Sequence, residues 1–315
     1  MDRSRGLSVA VLVVVLALLA AVLAFVLLNQ GDPVEPGAST APSPSPPAET
    51  TPSPSLNQAL LEERLTVLLI GVDSTEGRRA QGLGANTDTL MLASVGPEQS
   101  EVTLIGLPRD TVDIPLPDGS TWDRKVNALY SERGVEALVG AVESLFAVPV
   151  DGYAEIDMDD FPALVDSVGG VQVSPPEPLT DPIVDLDLPA GEQVLDGQTA
   201  LAYVRTRVDT DYGRMARQQE VLLEVVRGLA SPETDVDVRG LLDGLASFET
   251  DLPLDELPTL LEIGRRAAEA PVERTILRPP DFITFEGDAG DGRGYILIPD
   301  VEAIRAHAAE TIGEE

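Results

Sequence analysis

Four arginines lie close together in a strongly acidic chain. The 315-residue sequence has 54 acidic and 21 basic residues, and its formal net charge is −33. Within thirteen positions it carries Arg205, Arg207, Arg214 and Arg217. Such a cluster repels itself unless an anionic partner lies nearby, and guanidinium groups bind phosphate oxygens through paired hydrogen bonds. The cluster therefore predicts a phosphorylated or pyrophosphorylated ligand; the alternative is a solvated surface on which the arginines pair with neighbouring aspartates.

The local pattern predicts how the cluster is held. Residues alternate over 201–207 with the two-residue period of a strand, which would place Arg205 and Arg207 on one face. After a turn, residues 214–228 predict a helix. Positions i, i+3 and i+4 share one face of that helix, and they are Arg214, Arg217 and Gln218. Helix N-termini also favour anions, so the arginines are expected to converge on a strand-to-helix turn.

Three charged residues follow or begin apolar runs. The runs are typical of buried strands and span 66–73, 88–95 and 102–109. The second and third are joined by a short turn, which predicts an antiparallel hairpin. If the first two strands are also antiparallel, Asp73, Asp88 and Arg109 meet at one edge of the sheet.

These residues suggest a metal and an anion site. Asp73 and Asp88 together could bind Mg²⁺, which prefers carboxylate ligands, although aspartate at a strand end is also ordinary turn chemistry. Arg109 either projects into a cleft or pairs with Asp110 on the surface. Lys125 is the only lysine of the chain and precedes a predicted helix.

Composition removes several reaction classes. The chain has no cysteine and a single histidine, His307, which we predict to lie at the surface. Cysteine nucleophiles, disulfide scaffolds, Ser-His-Asp triads and histidine-ligated zinc are therefore excluded or implausible. Chemistry by carboxylates, arginines, hydroxyls and an oxygen-ligated metal remains.

The N-terminal region predicts a membrane anchor. Residues 7–29 are almost wholly apolar and long enough to span a bilayer. Arg3 and Arg5 lie in the preceding tail, 1–6, so the positive-inside rule leaves that tail in the cytoplasm. A cleaved signal peptide is the alternative. Residues 30–56 are rich in Pro, Ser and Thr, which predicts a disordered linker.

The remaining residues, 57–315, are expected to form one extracytoplasmic domain. Helical patterns occur at 134–146, 159–168, 239–248, 254–268 and 301–312. Short strands are expected at 273–277 and 295–298, and a loop at 174–190. Helices interleaved with strands predict an α/β fold, a three-layer α-β-α architecture with a mixed central sheet, preceded by one transmembrane helix and a disordered linker.

Apolar helix faces have two interpretations, namely core packing or a lipid-binding slot. The residues concerned are Leu138, Val142, Leu145, Phe161, Leu164 and Val165.

Several motifs resemble, in order and spacing, those of the LytR-CpsA-Psr family of membrane-anchored bacterial cell-wall proteins. They are LLIGVD at 68–73, NTDTL at 86–90, LPRD at 107–110, KVNA at 125–128, DSVGGV at 166–171, LDG at 195–197, AYVRTR at 202–207 and GRMARQQ at 213–219. The resemblance is close over 65–228 and looser towards the C-terminus.

The resemblance implies a phosphotransferase that takes a glycopolymer from a polyprenyl-pyrophosphate carrier and joins it to peptidoglycan through a phosphodiester. It implies Mg²⁺ at Asp73 and Asp88, with the polyprenyl chain in an apolar tunnel between sheet and helices. The implied catalytic residues are Arg109, Arg205, Arg207 and Arg214. Further implied substrate-binding residues are Lys125, Arg217 and Gln218. The expected partners are the lipid-linked glycan, peptidoglycan and the membrane, with no nucleic acid.

Two other functions stay open at this point. The chain could hydrolyse the pyrophosphate without an acceptor glycan, or act as a membrane-anchored regulator without catalysis. Three aspartates are candidate general bases, namely Asp110, Asp209 and Asp211. The transferred polymer is open among teichoic acid, arabinogalactan and capsule.

Overall fold

The computed structural model describes residues 56–73, 86–231 and 233–313. Its strands are β1 Leu65–Asp73, β2 Asn86–Val95, β3 Val102–Gly106, β4 Ile114–Pro115, β5 Thr121–Trp122, β6 Gly152–Asp157, β7 Val171–Val173, β8 Leu179–Asp181, β9 Leu186–Leu188, β10 Gln193–Leu195, β11 Glu249–Thr250, β12 Val272–Ile276, β13 Ile283–Asp288 and β14 Tyr295–Pro299. Its helices are α1 Gln58–Glu62, α2 Asn127–Arg133, α3 Val135–Phe146, α4 Phe161–Ser167, α5 Gly197–Arg205, α6 Asp211–Ala230, α7 Val238–Asp243, α8 Leu257–Ala267 and α9 Val301–Thr311.

The predicted tail, membrane span and linker fall outside these residues, apart from Leu56 at the end of the linker. Among the helices that the structure describes, none combines the length and apolarity needed to cross a bilayer.

The centre of the fold is a six-stranded mixed sheet in the order β11-β6-β1-β2-β3-β12. The pairs β1–β2 and β2–β3 are antiparallel, which confirms the predicted hairpin and the expected direction of the first two strands. Strands β6 and β12 run parallel to β1 and β3, respectively. Strand β6 was not among the predicted strands, yet it lies next to β1 inside the sheet.

Both faces of the sheet are covered, so the predicted α-β-α layering is confirmed. Along β1, Val67 and Leu69 point into one core, while Leu68 and Ile70 point into the other, as the two-residue period of a strand requires. The first core packs against α4, α5, α6 and α8, and the second against α2, α3 and α9. Strand β1 is apolar over 67–70 because it is buried on both sides.

The predicted strand at 201–207 is wrong, because residues 197–205 form helix α5. Its N-cap is Asp196, whose side chain accepts from the backbone N–H of Thr199. Ala200, Tyr203 and Val204 are buried at the i, i+3 and i+4 spacing of one helix face, whereas alternation would place Tyr203 and Val204 on opposite faces. The cap and the burial of this face decide in favour of the helix.

Three other predictions are corrected. The expected loop at 174–190 contains the β8–β9 hairpin. Helix α6 begins at Asp211, three residues before the predicted start, because the Thr210 side chain caps it by accepting from the backbone N–H of Gly213. The predicted helix at 239–248 ends at Asp243.

Replacing Gly197 with Ala should destabilise the domain by about 3 kcal/mol, because overpacking against fixed backbone forces a shift. A Cβ at this position would lie 2.1 Å from the carbonyl oxygen of Pro162. Thermal unfolding monitored by circular dichroism measures the effect. The exposed neighbour on the same turn gives the control, Gln198→Ala, which should leave Tm within a degree or so of wild type; equal Tm values for both variants would contradict the close packing.

Candidate active site

A polar cleft of about 430 Å³ lies at one end of the central sheet. Its cationic lining residues are Arg109, Arg205, Arg207 and Arg214. Two carboxylates also line it, Asp88 and Asp181, so its charged lining is cationic on balance. All four arginines come from the predicted set. Arg205 lies on helix α5 and Arg207 on the turn that follows it, where the sequence predicted a strand.

Arg214 is the fixed cation of the cleft. It is only 2% exposed, and its Nε and Nη2 donate to the two carboxylate oxygens of Asp211 at 2.9 and 3.0 Å. Its Nη1 donates to the backbone oxygen of Asp88 at 2.9 Å. A buried guanidinium needs such partners, and here they join the start of α6 to strand β2.

Asp211 serves two arginines. Besides Arg214, it forms an ion pair with Arg207 at 3.4 Å. Burial alone would raise the pKa of Asp211, but the hydrogen bonds and charge of Arg214, with the charges of Arg109 and Arg207, hold that pKa below its usual range. Asp211 is therefore an anion that organises the cluster.

Arg109 lies beside Asp88, as the strand order predicts. Its Nη1 donates to the Asp88 carboxylate in an ion pair, while its buried Nε has no hydrogen-bond partner among the described residues. Asp110 is 3.8 Å from that Nε and also forms an ion pair with Lys125 Nζ at 2.7 Å. Lys125 thus reaches the cleft through Asp110 and does not line it.

Arg205 and Arg207 carry the charge that is available to a ligand. Both side chains are exposed. Arg205 makes no ion pair or side-chain hydrogen bond within the described part of the chain, and Arg207 makes only the longer pair with Asp211. These two arginines therefore give the cleft exposed positive charge that an anionic ligand can engage.

Arg217 lies behind the cleft and braces its turn. It is buried, and it donates to the backbone oxygens of Tyr203 and Thr206 at 3.0 and 2.6 Å. It also donates from two nitrogens to the carboxylate of Asp209 at 2.8 and 3.0 Å. Arg217 is absent from the residues that line the cleft, so its position is that of a support for the loop that carries Arg207.

An apolar pocket of about 120 Å³ lies beside the cleft. It lies between β6, β1 and β2 on one side and helices α4 and α6 on the other, and Phe161 and Leu164 line it. The remaining predicted apolar helix residues pack in the cores instead, namely Leu138, Val142, Leu145 and Val165. The pocket and the cleft share Met158, Val204 and Gln218, so they are two compartments of one site.

Glu155 is the one ionisable residue among those that line the pocket. Burial raises its pKa, and the hydroxyl of Tyr130 donates to its carboxylate at 2.8 Å. The rest of the lining is apolar apart from Thr89 and Gln218, which suits a long hydrocarbon chain.

The two predicted metal carboxylates differ in what the structure describes. Asp73 ends β1, and its Cα pairs with that of Asn86 at the edge where Asp88 lies, but its side chain is outside the described part. No group of three or more His, Cys, Asp or Glu side chains within the described residues is arranged to hold a metal. One Asp88 oxygen is engaged by Arg109, and the nearby Thr87 hydroxyl is buried without a hydrogen-bond partner among those residues.

The β8–β9 hairpin adds residues to the cleft that the sequence did not single out. Asp181 is buried and accepts from the Thr206 hydroxyl at 2.5 Å, and this hydrogen bond, with one from the Ile183 backbone, lowers the pKa of Asp181. Ile183 itself is 92% exposed at the cleft. The aspartates of 174–190 were the available signal, but their proximity to the arginines depends on the fold.

Replacing Arg217 with Ala should cost about 2–4 kcal/mol of folding free energy, because two buried carbonyls and Asp209 lose their donors. Chemical denaturation with a shared m-value measures the loss. Arg205→Ala is the matched control, because its exposed side chain makes no such contacts; it should keep wild-type stability yet weaken binding of inorganic pyrophosphate in calorimetry. Equal stability of the two variants would show that Arg217 does not brace the turn.

Comparison with known proteins relates this site to a family. The chain is 39% identical over 180 residues to the probable cell wall biosynthesis protein LcpB of Corynebacterium glutamicum, over 53% of this chain and 42% of that protein. It therefore spans less than half of LcpB. It is 31% identical over 250 residues to the polyisoprenyl-teichoic acid–peptidoglycan teichoic acid transferase TagU of Enterococcus faecalis, over 78% of each chain.

The fold is shared as well. A crystal structure of an Enterococcus faecalis protein described as a transcriptional regulator superposes with a TM-score of 0.64 at 26% identity, over 83% of this chain and 92% of that one. The model of the LytR_cpsA_psr family matches residues 38–288, most of this chain. The chain belongs to the LytR_cpsA_psr family.

Proposed function

We propose that this protein is a phosphotransferase that moves a glycopolymer from a polyprenyl-pyrophosphate carrier onto peptidoglycan. One observation carries the proposal: an arginine-lined cleft adjoins an apolar pocket, and Met158, Val204 and Gln218 line both. A ligand that fits both compartments has a diphosphate joined to a long hydrocarbon. Polyprenyl pyrophosphate has this composition.

Family relatives support the same chemistry. TagU is named as a transferase of teichoic acid from a polyisoprenyl carrier to peptidoglycan, and the chain covers 78% of it. LcpB is named as a cell wall biosynthesis protein. The predicted anchor at 7–29 would hold the domain at the membrane surface, where a polyprenyl donor resides, with the N-terminus in the cytoplasm.

The arginines divide the work of binding and stabilising the diphosphate. Arg205 and Arg207 are the exposed cations that engage its oxygens, while Arg109 and Arg214 are held in place by aspartates. In the proposed reaction, a peptidoglycan sugar hydroxyl attacks the glycan-proximal phosphorus. The bond to the bridging oxygen breaks, and polyprenyl phosphate leaves with the bonding electrons. Phosphoryl transfer needs mainly positioning and charge stabilisation, which suits a chain without cysteine.

The hydroxyl proton needs an acceptor. Of the three candidate bases, Asp209 is bound by Arg217 behind the cleft. Asp211 has both oxygens bound by Arg214. Asp110 follows Arg109, and only one of its oxygens is bound closely, by Lys125 at 2.7 Å, while the other is 3.8 Å from Arg109 Nε. We therefore infer that Asp110 is the best placed of the three.

Mg²⁺ is proposed as a further source of positive charge. Asp88 and Asp73 would hold it, since hard cations take carboxylate ligands, and it would neutralise diphosphate charge when bound. The fit rests on the Asp88 carboxylate at the cleft and on Asp73 at the same edge of the sheet, where its Cα pairs with that of Asn86.

Saturating Mg²⁺ should raise Tm by about 3 °C through binding to the folded state, measured by differential scanning fluorimetry without substrate. Asp88→Asn should abolish this increment, whereas Asp118→Asn, a change at an exposed turn, should retain it. An unchanged increment in Asp88→Asn would remove Asp88 from the metal site.

Arg205→Ala should lower transfer by about 10²-fold, the cost of removing one charge-stabilising donor. The assay uses purified full-length protein, a lipid-pyrophosphate-linked glycan and peptidoglycan. Arg239→Ala, a change far from the cleft along the sequence and absent from its lining, is the control and should keep wild-type turnover.

The same assay separates the rival functions. If the protein is a transferase, release of polyprenyl phosphate should depend on added peptidoglycan. Cleavage at full rate without acceptor would indicate a pyrophosphatase, and donor binding without turnover would indicate a regulator.

A further inference from the structure

A second polar surface lies beside the cleft and has no part in the binding of the donor described above. Tyr212 in the first turn of α6 donates to Glu286 Oε2 at 3.1 Å. Tyr295 on β14 donates to the other oxygen of the same carboxylate. We call this surface, formed by Tyr212, Glu286 and Tyr295, the tyrosine shelf. It joins helix α6 to the β13–β14 hairpin.

The shelf is held against the cleft by backbone contacts. Leu297 donates its N–H to the carbonyl of Asp110 at 3.1 Å and accepts from Val112 N–H at 2.9 Å. This pairing attaches β14 to residues 110–112, which directly follow Arg109. On the other side, Tyr212 follows Asp211, the residue that binds Arg214. The shelf therefore adjoins both fixed arginines of the cleft.

Its chemistry suits a carbohydrate. Tyr295 is 50% exposed and Glu286 is exposed, so an aromatic face, a carboxylate and phenolic oxygens reach solvent together. Burial and then the Glu286 contact raise the pKa of Tyr295 to about 12, so the phenol stays protonated at neutral pH. Both phenolic O–H groups donate hydrogen bonds to Glu286. Their oxygens keep lone pairs that accept from sugar hydroxyls, and the aromatic rings supply rigid amphipathic contact area.

The order of residues along α6 indicates which of the two glycans, donor or acceptor, the shelf binds. Tyr212, Arg214 and Gln218 follow one another on this helix, and Tyr212 and Gln218 are separated by about 9 Å of rise along its axis. Along the axis of α6 the shelf lies nearest Arg214, which lines the cleft, and the pocket residues Leu222 and Val225 lie at later turns. In-line displacement puts the attacking and leaving oxygens on opposite sides of phosphorus. With lipid phosphate leaving towards the pocket, the nucleophile arrives from the shelf.

We infer that the tyrosine shelf binds the acceptor, a glycan strand of peptidoglycan, and orients its hydroxyl towards the diphosphate. This inference rests on the proposed transferase function and adds to it a site for the second substrate. No bond to the shelf is formed or broken, so its residues position the acceptor and are not catalytic.

Tyr295→Ala and Glu286→Gln test the inference in the full-length protein. Each should raise KM for the acceptor by about 10-fold with a smaller change in kcat, the signature of lost acceptor binding. The affinity for a lipid-pyrophosphate donor carrying a single sugar should stay at the wild-type value. Phe285→Ala is the matched control, because Phe285 is exposed on the same hairpin and successive strand residues point to opposite faces.

Direct binding separates this inference from the proposed function. Soluble peptidoglycan glycan fragments are titrated into each folded variant, with Tm as the folding check, and observed by saturation-transfer NMR. Fragment binding that Tyr295→Ala weakens and Phe285→Ala preserves supports the shelf even if wild type shows no transfer, which would reject the transferase alone. Unchanged acceptor KM and unchanged fragment binding in both shelf variants would overturn the inference. A raised donor KM with unaltered acceptor KM would overturn it too, since the shelf would then bind the donor glycan.

Discussion

A buried guanidinium, that of Arg214, is the interaction on which the site depends. Its two bonds to Asp211 and its bond to the backbone of Asp88 tie the first turn of α6 to strand β2. An unpaired buried charge would be strongly destabilising, so these contacts fix where the helix begins relative to the sheet. These contacts also position Arg207, since it pairs with the same aspartate. The cluster is therefore a rigid set of fixed cations with two exposed ones at its rim.

Helix α6 connects the two halves of ligand recognition. Its N-terminal turns bear the cationic residues, and its later turns, through Leu222 and Val225, line the apolar pocket. A single helix then sets the distance between the charged and the hydrocarbon parts of a ligand. Arg217 supports this arrangement from behind, because it holds the loop between α5 and α6 by bonds to two carbonyls and to Asp209. Recognition of lipid and phosphate is thus coupled through α6 and the loop that Arg217 holds against it.

Local sequence patterns predicted strands and their pairing correctly where the paired elements are close in sequence. The β1–β2–β3 meander and the meeting of Asp88 with Arg109 follow from apolar runs and a short connection. The same reasoning was wrong at 201–207, because the sequence alternates there, whereas Ala200, Tyr203 and Val204 are buried together on one helix face. Strand β6 was missed although it pairs with β1, since its run, GYAEID, mixes polar and apolar residues.

Contacts between distant segments were beyond such patterns. The β8–β9 hairpin places Asp181 against Thr206, and the β13–β14 hairpin places Glu286 against Tyr212, which is 74 positions away in sequence. Arg217 has the spacing of a ligand-binding residue on one face of α6, but the loop folds back over it and takes up its donors. Tertiary packing therefore decided which members of the arginine cluster face the cleft and which one lies behind it.

Lys125 gives the protein an unusual chemical property. It is the only lysine in the chain, and its amine is partly exposed and lies against Asp110, the neighbour of Arg109. An amine-directed reagent consequently has one side-chain target, next to the cleft, in addition to the chain's α-amino group. A fluorophore attached there would be a built-in reporter of cleft occupancy, and the same amine would allow single-point crosslinking to whatever molecule enters.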